Sequence, residues 1–269
     1  KSPHTGLAAK KVWFFFDKTY VCLGTDISSR MKNQVLTTVN QCLLNGQVTV
    51  SDADGIHPQE RGSRMKKGVR WVVHDRVGYY FLNKENVILS NQRTEGSWKI
   101  ANRQTTTPTD IIQQDVFTLS VDHGSYPNNE GYAYMVVPSA DPLSIEKQVE
   151  EEGVVVLANC PDVQAVRHDG LNMAYAVFYK GGTLRIHDKI VVEMDAPGML
   201  MVKYNDAGEI LTLGVSDPTR FMKKLHLSVN QRIVGTAQEN IQTEWDGKQA
   251  LTRITVELPQ NEYAGKSVI

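Results

Sequence analysis

The densest grouping of side chains capable of ionic chemistry is basic: Arg61, Arg64, Lys66, Lys67 and Arg70 place five cations within ten residues. Such a run can act as a local attractor for the carboxylates and sulfates of an acidic polysaccharide, because guanidinium and ammonium groups make charge-assisted hydrogen bonds to those oxygens. The competing reading is a solvated charged loop, in which each exposed ion contact is worth well under about 1 kcal/mol. Glutamine at Arg64, Lys66 and Lys67 is then expected to leave stability nearly unchanged. Trp98, in the segment Glu95-Gly96-Ser97-Trp98-Lys99, is a second candidate: an exposed indole is a stacking platform for a sugar ring. Partial burial is nevertheless expected, since tryptophan usually packs.

Two His/Asp neighbours, His74-Asp75 and Asp122-His123, hold the residue types of a proton-transfer site. Adjacent residues on a strand point to opposite faces, so hydrogen-bonded structural roles at strand ends are expected and a general base is the alternative. Asp52-Ala53-Asp54-Gly55 has the look of a calcium loop, but its glycine comes too early and no glutamate closes it at the required spacing. It reads as a turn. Neither GxGxxG nor GxxxxGK[ST] occurs, and HExxH and GxSxG are missing, which disfavours nucleotide enzymes, zincins and α/β-hydrolases. No cofactor and no metal is expected.

Composition narrows the partners further. Against 30 acidic residues stand 29 Lys and Arg, a net charge of −1, so no global field draws in a polyanion and a nucleic-acid partner is disfavoured. The three cysteines, Cys22, Cys42 and Cys160, are an odd number, and the first two lie in apolar runs where free thiols behave as small hydrophobes. No apolar stretch approaches the roughly 18 to 20 residues of a spanning helix, and the first ten residues lack a hydrophobic signal core, so a soluble chain with no membrane partner is expected.

These candidates must be positioned by strands. Residues 10–27 read as a hairpin turning at Asp17-Lys18. The unbroken apolar run Val12 to Phe16 predicts that both faces of its first strand are covered, with Trp13, like Trp71, in the core. Val35 to Leu44, Trp71 to Asp75, Gly78 to Phe81, Val87 to Arg93, Val116 to Val121 and Tyr132 to Val137 follow as strands. Ser51 to Gly68 reads as a polar excursion, and Gln104 to Asp110 as loop. One helix is expected from Asp141 to Glu151, capped by Asp141, with Pro142 in its first position and Gly153 beyond its end. Further on, Asp169-Gly170, Gly181-Gly182, Asp206-Ala207-Gly208 and Asp246-Gly247 read as hairpin turns of a compact antiparallel sandwich. The stretch Leu251 to Leu258 approaches the alternation of a strand with one wet face.

Several of these segments also carry a family likeness. The WFFFD run of Trp13 to Asp17, followed by Val21, Leu23-Gly24 and Ile27, resembles the central β-domain of polysaccharide lyase family 8. The likeness continues through Thr37 to Gln41, Leu44-Asn45-Gly46, Trp71 to Phe81, Gly96-Ser97-Trp98, Asp122-His123-Gly124 and Tyr132 to Pro138. Beyond Val154 it is carried by Val156 to Asn159, Val163 to Val166 and Glu262 to Gly265. Within a family that also holds hyaluronate and xanthan lyases, the segments resemble the chondroitin AC lyases.

The resemblance implies an all-β chain: a large antiparallel β-sandwich at 1–152, N-terminally incomplete, followed by a smaller antiparallel sandwich at 153–269. It implies a parent enzyme that cleaves uronic-acid polysaccharides such as chondroitin sulfate or hyaluronan by β-elimination, secreted or periplasmic. In that reaction the proton at C5, next to the carboxylate, is removed and the oxygen at C4 leaves. The catalytic asparagine, histidine, tyrosine and arginine of the family come from an N-terminal helical domain without a counterpart in this chain, and the glutamate that its central β-domain adds to the cleft, like the acidic cluster that binds a metal in some members, precedes the WFFFD strand. No catalytic residue is therefore carried over. The chain is expected to be a non-catalytic scaffold that partners the helical half and contacts substrate at most through surfaces such as Arg61 to Arg70 and Trp98. The alternatives are a free-standing carbohydrate-binding or adhesion module, and a complete enzyme with an unrelated site.

Overall fold

A computed structural model describes residues 2, 5–233 and 239–269. Lys1, Pro3, His4 and 234–238 lie outside the described residues. The chain divides into two compact units, Lys1–Gln148 and Val149–Ile269. Every strand pair in both is antiparallel.

In the first unit β1 (Ala8–Phe15) and β2 (Tyr20–Ser28) form the opening hairpin, with Phe15 opposite Tyr20 and the turn closed by Phe16 N–H on the Thr19 carbonyl at 2.9 Å. β2 is buried on both faces, and within the sheet it lies between β1 and β9 (Glu130–Pro138). β1 departs from the expectation. Val12 and Phe14 are buried, but Trp13 is 51% and Phe15 67% exposed. Among the described residues β1 stands at the end of the strand order of its sheet.

A covering layer is made by β3 (Gln34–Leu43) and β8 (Ile112–Ser125). The 20-residue β7 (Val77–Gly96) links the two halves: its first residues pair with β9 and its later ones with β8. Cys22, Tyr132, Tyr134, Phe81, Phe117, Leu119 and Leu89 fill the space enclosed. Burying about 25 cal/mol per Å² of such surface is the main favourable contribution to the fold.

The supposed polar excursion is itself sheet. β4 (Val48–Asp52), β5 (Gly55–Pro58) and β6 (Ser63–His74) occupy it, with β6 paired along β7. Polar composition concealed this strand because its first half lies exposed, and only Val69 and Trp71 onward turn into the core. β6 and β7 meet in a two-residue turn, Asp75 and Arg76, both left-handed at φ 48° and 61°, the geometry that matches strand twist. Beyond the far end of β7 lies a one-turn helix absent from the sequence reading, α1 (Trp98–Ala101), capped by the Ser97 hydroxyl.

Asp141 does cap, accepting from Leu143 N–H at 2.8 Å, but residues 142–144 form a turn and α2 (Ile145–Glu152) begins later than expected. Gly153, at φ 59°, ends it in the left-handed conformation that glycine adopts without strain.

The second unit consists of two five-stranded sheets. One contains β10 (Val154–Asn159), β11 (Val163–His168), β12 (Met173–Phe178), β15 (Gly198–Tyr204) and β16 (Ile210–Ser216). The other contains β13 (Gly182–His187), β14 (Ile190–Met194), β17 (Lys224–Val229), β18 (Ile241–Asp246) and β19 (Leu251–Glu257). Their inner faces enclose Phe178, Ile186, Ile190, Val202, Leu225, Ile254 and Val256. Asp169-Gly170, Asp206 to Gly208 and Asp246-Gly247 do join paired strands. Gly181-Gly182 does not, because β12 and β13 belong to different sheets and the chain crosses between them there. A Cβ on Gly181 would stand 2.5 Å from the Asp195 carbonyl oxygen, so the crossing needs glycine. β19 has the expected wet face, with Arg253 and Glu257 outward.

Candidate functional site

The five cations do not form a free patch. Arg61 pairs with Asp115 at 2.7 Å, Arg64 with Glu60 at 2.6 Å, Lys66 with Asp52 at 2.9 Å and Arg70 with Glu146 at 3.1 Å. Lys67 is exposed and makes no ion pair among the described residues. From Arg64 to Arg70 the strand covers roughly 20 Å at about 3.3 Å per residue, so these charges are spread along an edge of the molecule.

Lys66 differs from the rest. It and His57 both reach the buried carboxylate of Asp52, at 2.9 and 3.0 Å, while Asp54 N–H bonds the same group at 3.0 Å. Burial raises the Asp52 pKa, but these donors outweigh it and hold the group below the ordinary carboxylate value. The Asp-Ala-Asp-Gly turn is thus closed by a lysine. No group of three or more His, Cys, Asp or Glu side chains stands in metal-binding geometry among the described residues. The expectation that Lys66 can be replaced without cost is corrected by this contact.

Trp98 is 62% exposed, not partly buried as expected. β7 and β8 run on as a two-stranded arm whose last pair is Gly96 and Ile112, and Trp98 stands at its tip with Ile100 and Ile111, also exposed. From Arg93 to Gly96 β7 pairs only with β8 among the described residues. Arg61 reaches the same arm through Asp115, which lies opposite Arg93.

The histidines are engaged elsewhere, as expected. His74 is buried and stacked on Phe117, with ring centroids 4.3 Å apart, and its Nε2 accepts from Asn45 N–H at 3.0 Å. Nδ1 therefore carries the proton, 3.7 Å from Cys42 Sγ. Burial lowers its pKa, against a weaker upward pull from Asp75. His123 Nε2 lies 2.9 Å from Thr37 Oγ1, to which Lys11 Nζ also donates at 3.5 Å. Burial and the Lys11 charge lower His123 in turn. Both imidazoles are buried and turned inward.

Sequence reading missed two features. Glu85 on β7 is pushed up to about 7, first by burial and then by Glu130, against the stabilising N–H of Ala133. No motif marks it, because its burial depends on strands distant in sequence. The other is the outer face of the second unit's β13 to β18 sheet, which carries a groove of about 590 Å³ lined by Glu193, Asp195, His226, Glu244, Arg253 and Thr255 among others. Carboxylates outnumber the single arginine in that lining, the wrong balance for an acidic polymer.

Residues 1–149 match the model of the polysaccharide lyase family 8 super-sandwich domain, and residues 155–226 that of the family 8 C-terminal beta-sandwich domain. The chain is 34% identical over 265 residues to chondroitinase-AC of Pedobacter heparinus, covering 98% of this chain and 35% of that protein. It is 27% identical over 225 residues to xanthan lyase of a Bacillus species, covering 80% and 24%. Among solved structures, a chondroitinase AC lyase superposes with a TM-score of 0.83 at 34% identity over 99% of this chain and 37% of that one. A Paenibacillus xanthan lyase, at 23% identity, shares the fold with a TM-score of 0.84. The chain spans about a third of the length of the chondroitinase it matches.

Proposed function

The chain belongs to polysaccharide lyase family 8, and from that premise we propose that it forms the non-catalytic β-domains of an enzyme that cleaves acidic, uronic-acid polysaccharides by β-elimination. The observation that carries this reading is the span of the match: both β-domain models fit, while two thirds of the relative's length lies outside the aligned part. The reaction needs a group to neutralise the uronate carboxylate, a base for the C5 proton and an acid for the leaving oxygen. Among the described residues the three buried histidines are each engaged, His74 with Asn45, His123 with Thr37 and His168 with Glu152, and the arginines of β6 are paired with carboxylates. The chain's part is then to close one side of a cleft and to contact a chondroitin-like or hyaluronan-like polymer, with Trp98, Lys67 and the paired cations Arg61, Arg64, Lys66 and Arg70 as contact candidates. A polymer substrate of that size places the work outside the cytoplasm, in a secreted or periplasmic protein.

The exposed arm carrying Trp98 equally suits a free-standing carbohydrate-binding module. Reading the gene upstream of Lys1 separates the two. A helical segment supplying asparagine, histidine and tyrosine supports the lyase; a secretion signal directly before Lys1 supports the binding module and overturns the lyase reading.

A further inference from the structure

β7 changes partner along one of its edges. From Val77 to Phe81 it pairs with β9 and from Val87 to Gly96 with β8, while β6 runs along its other edge. Residues 82–86, between the two ladders, pair with neither β8 nor β9. From there β9 leads to β2 and β1, and β8 to β3, so β7 is the stem of a fork whose two branches enclose the core of the first unit.

One side chain closes the fork. The ladder with β9 ends at Phe81 opposite Tyr134; the next residue of β9, Ala133, is paired with Leu23 of β2 and has no partner in the β7 ladder. Ala133 is buried, and a buried N–H needs an acceptor. The side-chain carboxyl of Glu85 supplies it. The opposite strand is irregular at the same place: the register of β6 against β7 shifts on both sides of Val69, the residue that faces Glu85, and Gly68 is left-handed at φ 63°. Such irregularities re-aim a side chain. Val69 is fully buried and paired residues share a face of the sheet, so Glu85 is turned inward.

The charged groups around the fork do not neutralise it. Glu130, at the start of β9, opposes ionisation of Glu85 in the same sense as burial does. Lys84, its neighbour along the strand, points to the other face of β7. On β6, Lys67 and Arg70 flank the irregular stretch, and Arg70 is held by Glu146. On β8, Asp122 accepts from Gly124 N–H and His123 is bound to Thr37. Glu85 makes no ion pair among the described residues.

We propose that Glu85 is a pH-sensitive latch at this fork: protonated, it holds Ala133 and keeps β9 against β7, and ionised, it lets the two branches part locally and reversibly. The inference is independent of the polysaccharide reading. An ionised carboxyl is the better acceptor for a single N–H, but burial and Glu130 outweigh that gain, and the group keeps its proton up to about 7. Opened to water, it returns to its ordinary 4.5, so opening releases a proton. Opening is therefore insensitive to pH below about 4.5, becomes easier as pH rises from there to about 7, and is constant above.

Amide hydrogen exchange of the 269-residue chain tests this. Protection factors, from which the intrinsic effect of pH is divided out, are compared between pH 5 and pH 8 for the parent and Glu85→Gln. Protection at Ala133 and Met135 is expected to fall about tenfold or more over this interval in the parent and less than about twofold in the variant, while Val202 in the second unit stays unchanged in both. The Glu85 carboxyl resonance of the unaltered chain is expected to titrate near 7, and that titration together with the parent's protection at Ala133 decides the matter if the variant does not fold. A midpoint near 4.5, protection at Ala133 that ignores pH, or an equal fall in Glu85→Gln overturns the latch. A fall shared in full by Val202 shows a loss of the whole fold and refutes a local device as well.

Discussion

The indole Nε1 of Trp71, fully buried in β6, donates to Glu146 Oε1 of helix α2 at 3.2 Å, and the exposed Arg70 guanidinium reaches the same oxygen at 3.1 Å. Two contacts of one carboxylate thus differ in solvent exposure, and that difference decides their worth. Glu146→Ala strands a buried N–H and is expected to cost about 1–3 kcal/mol. Arg70→Ala removes only an exposed ion pair, worth under about 1 kcal/mol. Chemical denaturation of both variants checks the ranking; equal losses would show that the indole bond contributes nothing beyond the ion pair.

Lys66 and Arg64 make a similar contrast on one strand. Lys66→Gln leaves the buried Asp52 carboxylate with His57 and one backbone N–H, and should cost about 1–2 kcal/mol. Arg64→Gln should fall within about 0.5 kcal/mol of the parent, because its partner Glu60 is exposed. Thermal midpoints of the two single variants settle this.

Glu85 gives the protein a dependence on pH. Its pKa rises from 4.5 to about 7 on folding, so the folded state binds the proton more tightly and stability falls as pH rises through that interval. Glu85→Gln keeps an acceptor for the Ala133 N–H and removes the charge. Above pH 7 it is expected to be more stable than the parent by about 1–2 kcal/mol, after discounting for partial exposure, and below about pH 4.5 to be nearly equal. Denaturation curves at pH 4 and pH 8 measure the difference, and a constant offset at both would contradict the assignment.

In the second unit Asp217 has the opposite sign. Burial raises it, but the Thr219 hydroxyl at 2.6 Å and the N–H groups of Thr219, Phe221 and Met222 at 2.8–3.0 Å bring it below its ordinary 3.8. Its contribution is present above about pH 4 and lost as pH falls further. Asp217→Asn is expected to destabilise by about 1–3 kcal/mol at pH 7, with the gap to the parent narrowing in acid.

How much of this was legible in sequence varied with the range of the contacts involved. The β1–β2 turn at Asp17-Lys18, the Asp141 cap and the wet face of β19 depend on neighbours along the chain, and local patterning reported them. Trp13 did not yield to the same reasoning. Its apolar run predicts cover on both faces, but among the described residues β1 stands at the end of the sheet, a place set by which strands pair and not by the run itself. The strand β6 was hidden because an exposed strand may be charged along its length without losing its ladder. Trp98 needed knowledge that α1 sits at the tip of the β7–β8 arm. The pairing of Arg61 with Asp115 joins residues that only the sheet register brings together. The family likeness supplied the architecture; it carried no site residue into this chain.

The most direct measurement follows the ultraviolet absorbance of unsaturated uronate while the repurified chain is incubated with chondroitin sulfate and with hyaluronan. The account predicts no enzyme-dependent growth from this chain, and growth from the same chain within a longer polypeptide that supplies the helical half. Turnover by the 269 residues alone, persisting through repurification and scaling with protein concentration, would contradict it.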